Sequence, residues 1–267
     1  MVQRLIIGIV FLLAWRQTLA QEFWMMPDKF QYEPGDTIKI RFNVGENFVG
    51  ETWNLRSERI RSISLHSTSG RTDIRPLAHI GRGDHLKIPA LKKGTYLITM
   101  EGENAFVELP AERFNAYLKE HALDNIAAMR KKDNAEDQPG RELYRRITSL
   151  IVQVGDTRDE TYRKITGMPV EIIPGKHPSE IRKGDLVPFM ILFNGKPDFG
   201  ARVYVWNSKN NKVFNQPIYS QKDGSIDVRI FNDGDWMISV VKMVPVSAPN
   251  ANWQSFWGSL VFHVSEE

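Results

Sequence analysis

The chain has 267 residues, 42% of them hydrophobic and 10% aromatic, with a formal net charge of +3. That length and apolar content allow one large domain or two ordinary ones with real cores. The chain contains no cysteine, which excludes a lipid-anchored lipoprotein, a disulfide framework and thiolate metal or redox chemistry.

The N-terminus has the layout of a cleavable signal peptide. Arg4 gives a positive start, residues 5–15 are apolar except for Gly8, and Thr18-Leu19-Ala20 ends in small residues. So short an apolar run does not span a hydrocarbon core of about 30 Å. Cleavage is expected near Ala20-Gln21, with residues 1–20 lost and the mature chain periplasmic, cell-surface or secreted. No later stretch is apolar enough to cross a membrane. Losing Arg4 and Arg16 takes the net charge from +3 to about +1, so the basic balance is not a nucleic-acid footprint.

Period-two patterning follows. Ile38, Ile40, Phe42 and Val44 alternate along residues 37–44, as on a half-buried strand, and residues 60–65 and 95–100 read similarly. After Pro110, the spacing of Phe114, Tyr117 and Leu118 predicts a helix face, and Asp124 is expected to cap a second short helix. Residues 133–140 are polar with Pro and Gly and read as a loop. In residues 141–154, Leu143, Ile147, Leu150 and Val154 fit a helix. The β-branched run Ile147, Thr148, Ile151, Val152 and Val154 favours a strand ending at Gly155, and the strand is preferred. Further strands are expected over 186–193, 202–206, 226–230, 236–241 and 259–264. Asn194-Gly195, Asp223-Gly224 and Asp233-Gly234 supply turns between them.

This pattern predicts a mainly β chain: two β-sandwich domains with a short helical insert between them. The expected N-terminal sandwich covers 21–109, the insert and loop 110–140, a strand and linker completing the first domain 141–164, and the second sandwich 165–267. A weak repeat supports two related domains. Glu33-Pro34-Gly35-Asp36 and Arg182-Lys183-Gly184-Asp185 each precede a strand, and residues 94–99 resemble residues 234–239.

Chemical motifs are sparse. There is no Gly-x-Ser-x-Gly elbow and no Gly-rich phosphate loop. Paired carboxylates are not readable from sequence, and Glu22, Glu46, Glu51 and Asp28 are candidates in number only. No two of the six histidines share a helix or strand face by spacing. His79 and His85 flank Gly81-Arg82-Gly83-Asp84 and are weak candidates for a metal pair. Phe23 and Trp24 open the mature chain, and Trp253, Phe256 and Trp257 lie near its end. They suit either a stacking platform for flat ligands or, as preferred here, a core in which the first strand packs on the last.

Several segments are similar, in order, to one known family. Gln21-Glu22-Phe23-Trp24-Met25-Met26-Pro27 resembles the His-Glu-Phe-Trp-Leu-x-Pro start of the bacterial family called domain of unknown function 4198. Val44-Gly45-Glu46-Asn47-Phe48, the segment from Glu108 to Glu120, Arg141-Glu142-Leu143-Tyr144-Arg145-Arg146 and the segment from Asn252 to Leu260 resemble further stretches of it. The resemblance implies an exported protein with immunoglobulin-like or transthyretin-like β-sandwich domains, the second of them transthyretin-like. It also implies a link to nickel or cobalt uptake, with an N-terminal histidine and a second histidine as metal ligands. This chain has Gln21 and Lys242 at those positions. Glutamine lacks the imidazole, and a lysine must lose a proton before it binds metal. The resemblance thus implies a kept scaffold with a degraded metal site, where Lys242 fills the space or pairs with Glu22.

The expected function is an exported, non-enzymatic binding or accessory module of the envelope, with an unidentified small ligand or envelope partner and no nucleic acid. Its ligand-binding residues are expected among Gln21, Glu22, Trp24, Lys242, Trp253 and Trp257; no catalytic residue and no cofactor is assigned. The alternatives are a periplasmic metal-binding protein of the nickel or cobalt uptake type, an enzyme acting on envelope polysaccharide, and a structural or adhesive module.

Overall fold

The computed structural model describes residues 21–266. The expected signal peptide lies outside them. The first half of the chain runs β1 (Glu22–Pro27), β2 (Gln31–Tyr32), β3 (Thr37–Glu46), β4 (Val49–Thr52), β5 (Ile60–Ser67), β6 (Gly70–Asp73), β7 (Leu86–Pro89), β8 (Gly94–Gly102) and β9 (Ala105–Leu109). Helices α1 (Ala111–Glu120) and α2 (Asp124–Lys132) follow. Then come β10 (Gly140–Val154), β11 (Val170–Pro174), β12 (Leu186–Phe193), β13 (Lys196–Pro197), β14 (Arg202–Lys209), β15 (Lys212–Tyr219), β16 (Ser225–Arg229), β17 (Gly234–Ala248) and β18 (Ala251–Val264).

The fold is mainly β, built by sheets packed face to face, with two short helices inserted. A ten-stranded sheet in the order β15-β14-β17-β18-β10-β8-β5-β6 runs through the whole molecule, with β2 and β9 also pairing to β10. Its centre is a parallel pairing of β10 with β18, from Glu142 opposite Trp253 to Leu150 opposite Val261. On either side of that pair the neighbours are antiparallel, β8 against β10 and β17 against β18. Two four-stranded sheets cover it. One joins β1, β3, β4 and β7, the other β11, β12, β13 and β16.

Strand alternation sends the two covering sheets to opposite faces. Tyr96, Ile98, Met100, Leu150 and Val152 enter the core under β1 and β3, while Leu97, Ile147 and Ile151 from the same strands enter the core under β11 and β12. The C-terminal strands divide in the same way: Trp206, Met237 and Val261 join the first core, and Trp236, Ile238, Leu260 and Phe262 the second. Side chains pointing alternately up and down a central sheet therefore fill two cores at once.

The repeated sequence is a repeated turn. Gly35 and Gly184 sit at φ of 100° and 96°, where a Cβ would be strained. The backbone N–H of Asp36 donates to Glu33 O at 3.0 Å, and that of Asp185 to Arg182 O at 3.1 Å. Each aspartate also pairs with a lysine at 2.6 Å, Lys29 in the first copy and Lys176 in the second. Each turn then ties down the end of a later strand, through Ala90 N–H to Asp36 O and Ile230 N–H to Asp185 O, both at 2.9 Å.

The segment that also fitted a helix is β10, a strand beginning at Gly140. Asp124 is the first residue of α2 rather than its cap, and no side chain caps that helix start. Phe114, Tyr117 and Leu118 do form the buried face of α1.

Gly258 marks a tight approach between layers. It lies opposite Ile147 and Val240, and a Cβ there would run into the side chain of Val170. Gly258→Ala is expected to destabilise the fold by about 1–3 kcal/mol through overpacking. A thermal melt by circular dichroism should show a Tm lowered by several degrees; an unchanged Tm would mean that β11 is not pressed on β18 as described.

Candidate functional site

The face of the central sheet that β1 covers extends beyond it and is roofed by the helical insert. Phe114, Tyr117, Leu118 and Ile126 pack there on Val241, Met243 and Trp253. The indole of Trp257 stacks on Tyr117, with centroids 5.7 Å apart and planes at 11°, and Trp253 stacks on Phe114 at 6.5 Å. Under this roof lie two groups of buried polar side chains.

The first centres on Glu142 of β10. Parallel pairing brings Ser255 beside it, and the Ser255 hydroxyl donates to Glu142 Oε1. Tyr117 OH donates to the same oxygen at 3.3 Å, and Trp257 Nε1–H donates to Ser255 Oγ at 3.1 Å. Burial pushes the Glu142 carboxyl up to about 7, against hydrogen bonds that favour its charged form.

The second joins Glu22 of β1 to His121, the residue after α1. Both line a small enclosed space of about 10 Å³, with Tyr204 and Trp257 among its walls. Glu22 Oε2 and both ring nitrogens of His121 are buried without hydrogen-bond partners. Three aromatic rings meet the imidazole edge-on, Trp257 at 5.0 Å, Tyr117 at 5.3 Å and Tyr204 at 5.9 Å. Burial pushes Glu22 up to about 7, with Glu120 and Glu46 adding repulsion. Burial also pushes His121 down to about 4, helped by Arg202. At neutral pH the imidazole is therefore uncharged.

Of the residues singled out in the sequence, Glu22 and Trp257 meet at this space, while the others lie elsewhere. Gln21 precedes β1 beside Glu22 and is partly buried. Trp24 is buried in the first core, edge-on to Phe48 at 5.5 Å. Lys242 does not pair with Glu22. It lies on the opposite face of β17, pairs with the buried Asp198 and stands 5.6 Å above the Phe193 ring. Trp253 and Trp257 pack on the helical insert rather than on Phe23 and Trp24. The first strand does meet the last: Phe23, Trp24 and Met25 share the first core with Val261, and Ser259 Oγ–H donates to Phe23 O at 2.7 Å. His79 is exposed and bonds through its backbone. His85 is buried with both ring nitrogens committed, Nδ1 accepting from Phe42 N–H at 2.8 Å and Nε2 bonding to Gly81 O at 2.9 Å. A His85 so held has no lone pair for a metal shared with His79. Sequence reasoning missed His121, which stands in no motif. Glu142 and Ser255 lay inside quoted segments, but only the β10–β18 register joins them.

A wider groove of about 530 Å³ contains His177, Ser179, Asp235 and His263. Ser179 Oγ lies 2.8 Å from His177 Nδ1, a distance seen between nucleophile and base. That nitrogen, however, accepts the backbone N–H of Ser179 at 3.2 Å, and Nε2 bonds to Thr95 Oγ1 at 2.9 Å. The imidazole thus caps a short turn and ties it to β8. His263 pairs with Asp235 at 2.7 Å and stacks on Phe30.

The Glu142 shift has a measurable sign. An ordinary glutamate loses its proton near 4.5, whereas Glu142 loses it at about 7. Between those values the folded state holds the extra proton, so stability falls as pH rises through that window. Glu142→Gln stays neutral and keeps an acceptor for Ser255. It should melt several degrees higher than the parent at pH 8, by roughly 3 kcal/mol at most, and at the same temperature near pH 4.5. A lower Tm for the variant at pH 8 would show that the ionised carboxylate is favoured in place.

No curated protein matches the chain. Among solved structures, the D0-D1 domain of intimin is 12% identical over 91% of this chain and 98% of that one, with a TM-score of 0.21. A tetra-tandem repeat from the extending region of a large adhesion protein is 10% identical over 91% of this chain and 49% of that one, at 0.22. A Salmonella alpha-2-macroglobulin mutant is 10% identical over 90% of this chain and 15% of that one, at 0.23. Overlaps this loose carry no functional argument. The family described as domain of unknown function (DUF4198) is matched over residues 18–254, which is most of the chain, and the protein belongs to that family.

Proposed function

We propose that the mature chain is an exported, non-enzymatic binding module of the bacterial envelope, and that its binding end is where β1, β18 and α1 meet. The observation that carries this reading is the unpaired Glu22–His121 site. A buried polar atom without a partner costs about 1–3 kcal/mol. Three such atoms around one space are what a protein keeps for a ligand that supplies the missing bonds. The space holds about one water or one monatomic ion, so only a small group of any larger ligand reaches it. The histidines of the wider groove are engaged in holding turns and strands, which favours binding over turnover.

The metal reading has one observation in its favour. An uncharged imidazole offers a lone pair at neutral pH, and the Glu22 proton is lost near 7, within reach of a competing cation. Nickel or cobalt needs a fuller set of donors than these two. Among the described residues no group of three or more His, Cys, Asp or Glu is placed to hold a metal. The described side chains therefore do not fit a closed nickel or cobalt site.

Native mass spectrometry of protein taken from the periplasm of an expressing host tests both readings, with Ni²⁺, Co²⁺, Cu²⁺ and Zn²⁺ added in turn. The expected mass begins at Gln21, with one small ligand retained per chain and lost in both Glu22→Gln and His121→Ala. A retained transition metal with that dependence would favour the metal reading. Retention unaffected by either variant, or an unprocessed chain confined to the cytoplasm, would defeat the proposal.

A further inference from the structure

The motif Arg141-Glu142-Leu143-Tyr144-Arg145-Arg146 holds more than Glu142. Successive side chains of β10 point to opposite faces. Arg145 is fully engaged, pairing with Glu101 at 2.8 Å and with Asn104 at 3.0 Å. The side chain of Arg146, one residue on and facing the other way, makes no hydrogen bond and no ion pair with any described residue. Its guanidinium is instead held among aromatic rings, 5.3 Å from the Phe23 centroid and 5.5 Å from those of Trp53 and Tyr144. Burial holds it below its ordinary value, and Arg59 pushes in the same direction. A cation kept this way is positioned but not neutralised.

Arg146 lines a cleft of about 290 Å³ between β10, the end of β8 and the chain around the short 3-10 turn Ser57–Arg59. Arg56 and Arg59 line it too, both exposed and neither in an ion pair. The one carboxylate at the cleft, Glu103, is taken by Arg61 at 3.6 Å. Trp53 and Tyr144 provide half-buried ring surface beside the three guanidiniums.

We propose that this cleft is a binding site for a small sugar carrying an oxyanion, a carboxylate or a phosphate, seated on Arg146 and closed over by Arg56 and Arg59. The planar guanidinium fork matches both oxyanions in a two-point contact, and the rings suit the apolar side of a sugar. The volume lies at the small end for ligand sites and takes about one monosaccharide. The site is separate from the Glu22–His121 space and stands whether or not that space takes a ligand.

Isothermal titration of the mature protein at low salt tests the proposal, using glucuronate, glucose 6-phosphate, inorganic phosphate and glucose as probes. Glucuronate or glucose 6-phosphate should bind one per chain, more weakly as salt rises, while neutral glucose gives no heat. Whichever acid binds more tightly assigns the oxyanion. Arg146→Lys keeps the charge without the fork and should weaken binding about tenfold or more. The pair Arg56→Glu and Arg59→Glu, both on exposed positions that leave the core intact, should do the same with an unchanged Tm. Absence of binding by both sugar acids at millimolar concentration overturns the proposal. So does binding that survives both the Arg146→Lys and the double variant.

Discussion

The structure depends on one pairing, the parallel ladder between β10 and β18. Each of these strands closes its own half of the chain, and side by side they merge two sheets into one. Two halves joined through parallel strands present opposite faces, with β1 and β3 covering one side and β11 and β12 the other. The polar bonds across the ladder are part of that weld. Thr148 and Ser259 join at 2.9 Å, and Ser259 reaches on to Phe23 O. With no cysteine in the chain, no covalent bridge shares this load.

The same ladder makes the polar end of the molecule. Toward Glu142 and Trp253 it passes beyond the cover of β1, and the helical insert takes over as roof. His121 and Glu142 lie under this roof and Glu22 at its edge, while Arg146 lies in the neighbouring cleft beside the Ser57–Arg59 turn. Phe23 stands between the two sites. Its ring carries the Arg146 guanidinium on one side, and the residue also lines the Glu22–His121 space. Ionisable groups are thus concentrated toward this end of the sheet, where burial shifts their proton affinities.

Local order was legible in the sequence. Ile38, Ile40 and Phe42 alternate because β3 has one buried face, and the two Gly-Asp turns recur because both halves need the same positive-φ corner. The β-branched run in 147–154 outweighed its helical spacing because those residues enter cores on both sides of one sheet, which a helix stripe cannot do. What was not legible was anything that needs register. Ser255 reaches Glu142 across 113 residues of chain. Lys242 shares the parity of Trp236, Ile238 and Val240, so its face was present in the pattern. Only the topology says that this face looks toward Asp198 and away from Glu22. His121 had no signal at all, since its meaning comes from the three rings around it. Trp253 and Trp257 looked like partners of Phe23 and Trp24 because all are aromatic and near chain ends, but the insert supplies their contacts.

The position of β18 in the chain also bears on how the molecule is made. It is the last strand described, yet its Val261 sits in the N-terminal core together with Trp206 and Met237. The half that leaves the ribosome first therefore lacks part of its own interior until β18 arrives. Closing so long a loop is slow, and contacts between distant residues form late. A chain built this way gains its rigidity in one late step, when β18 docks between β10 and β17.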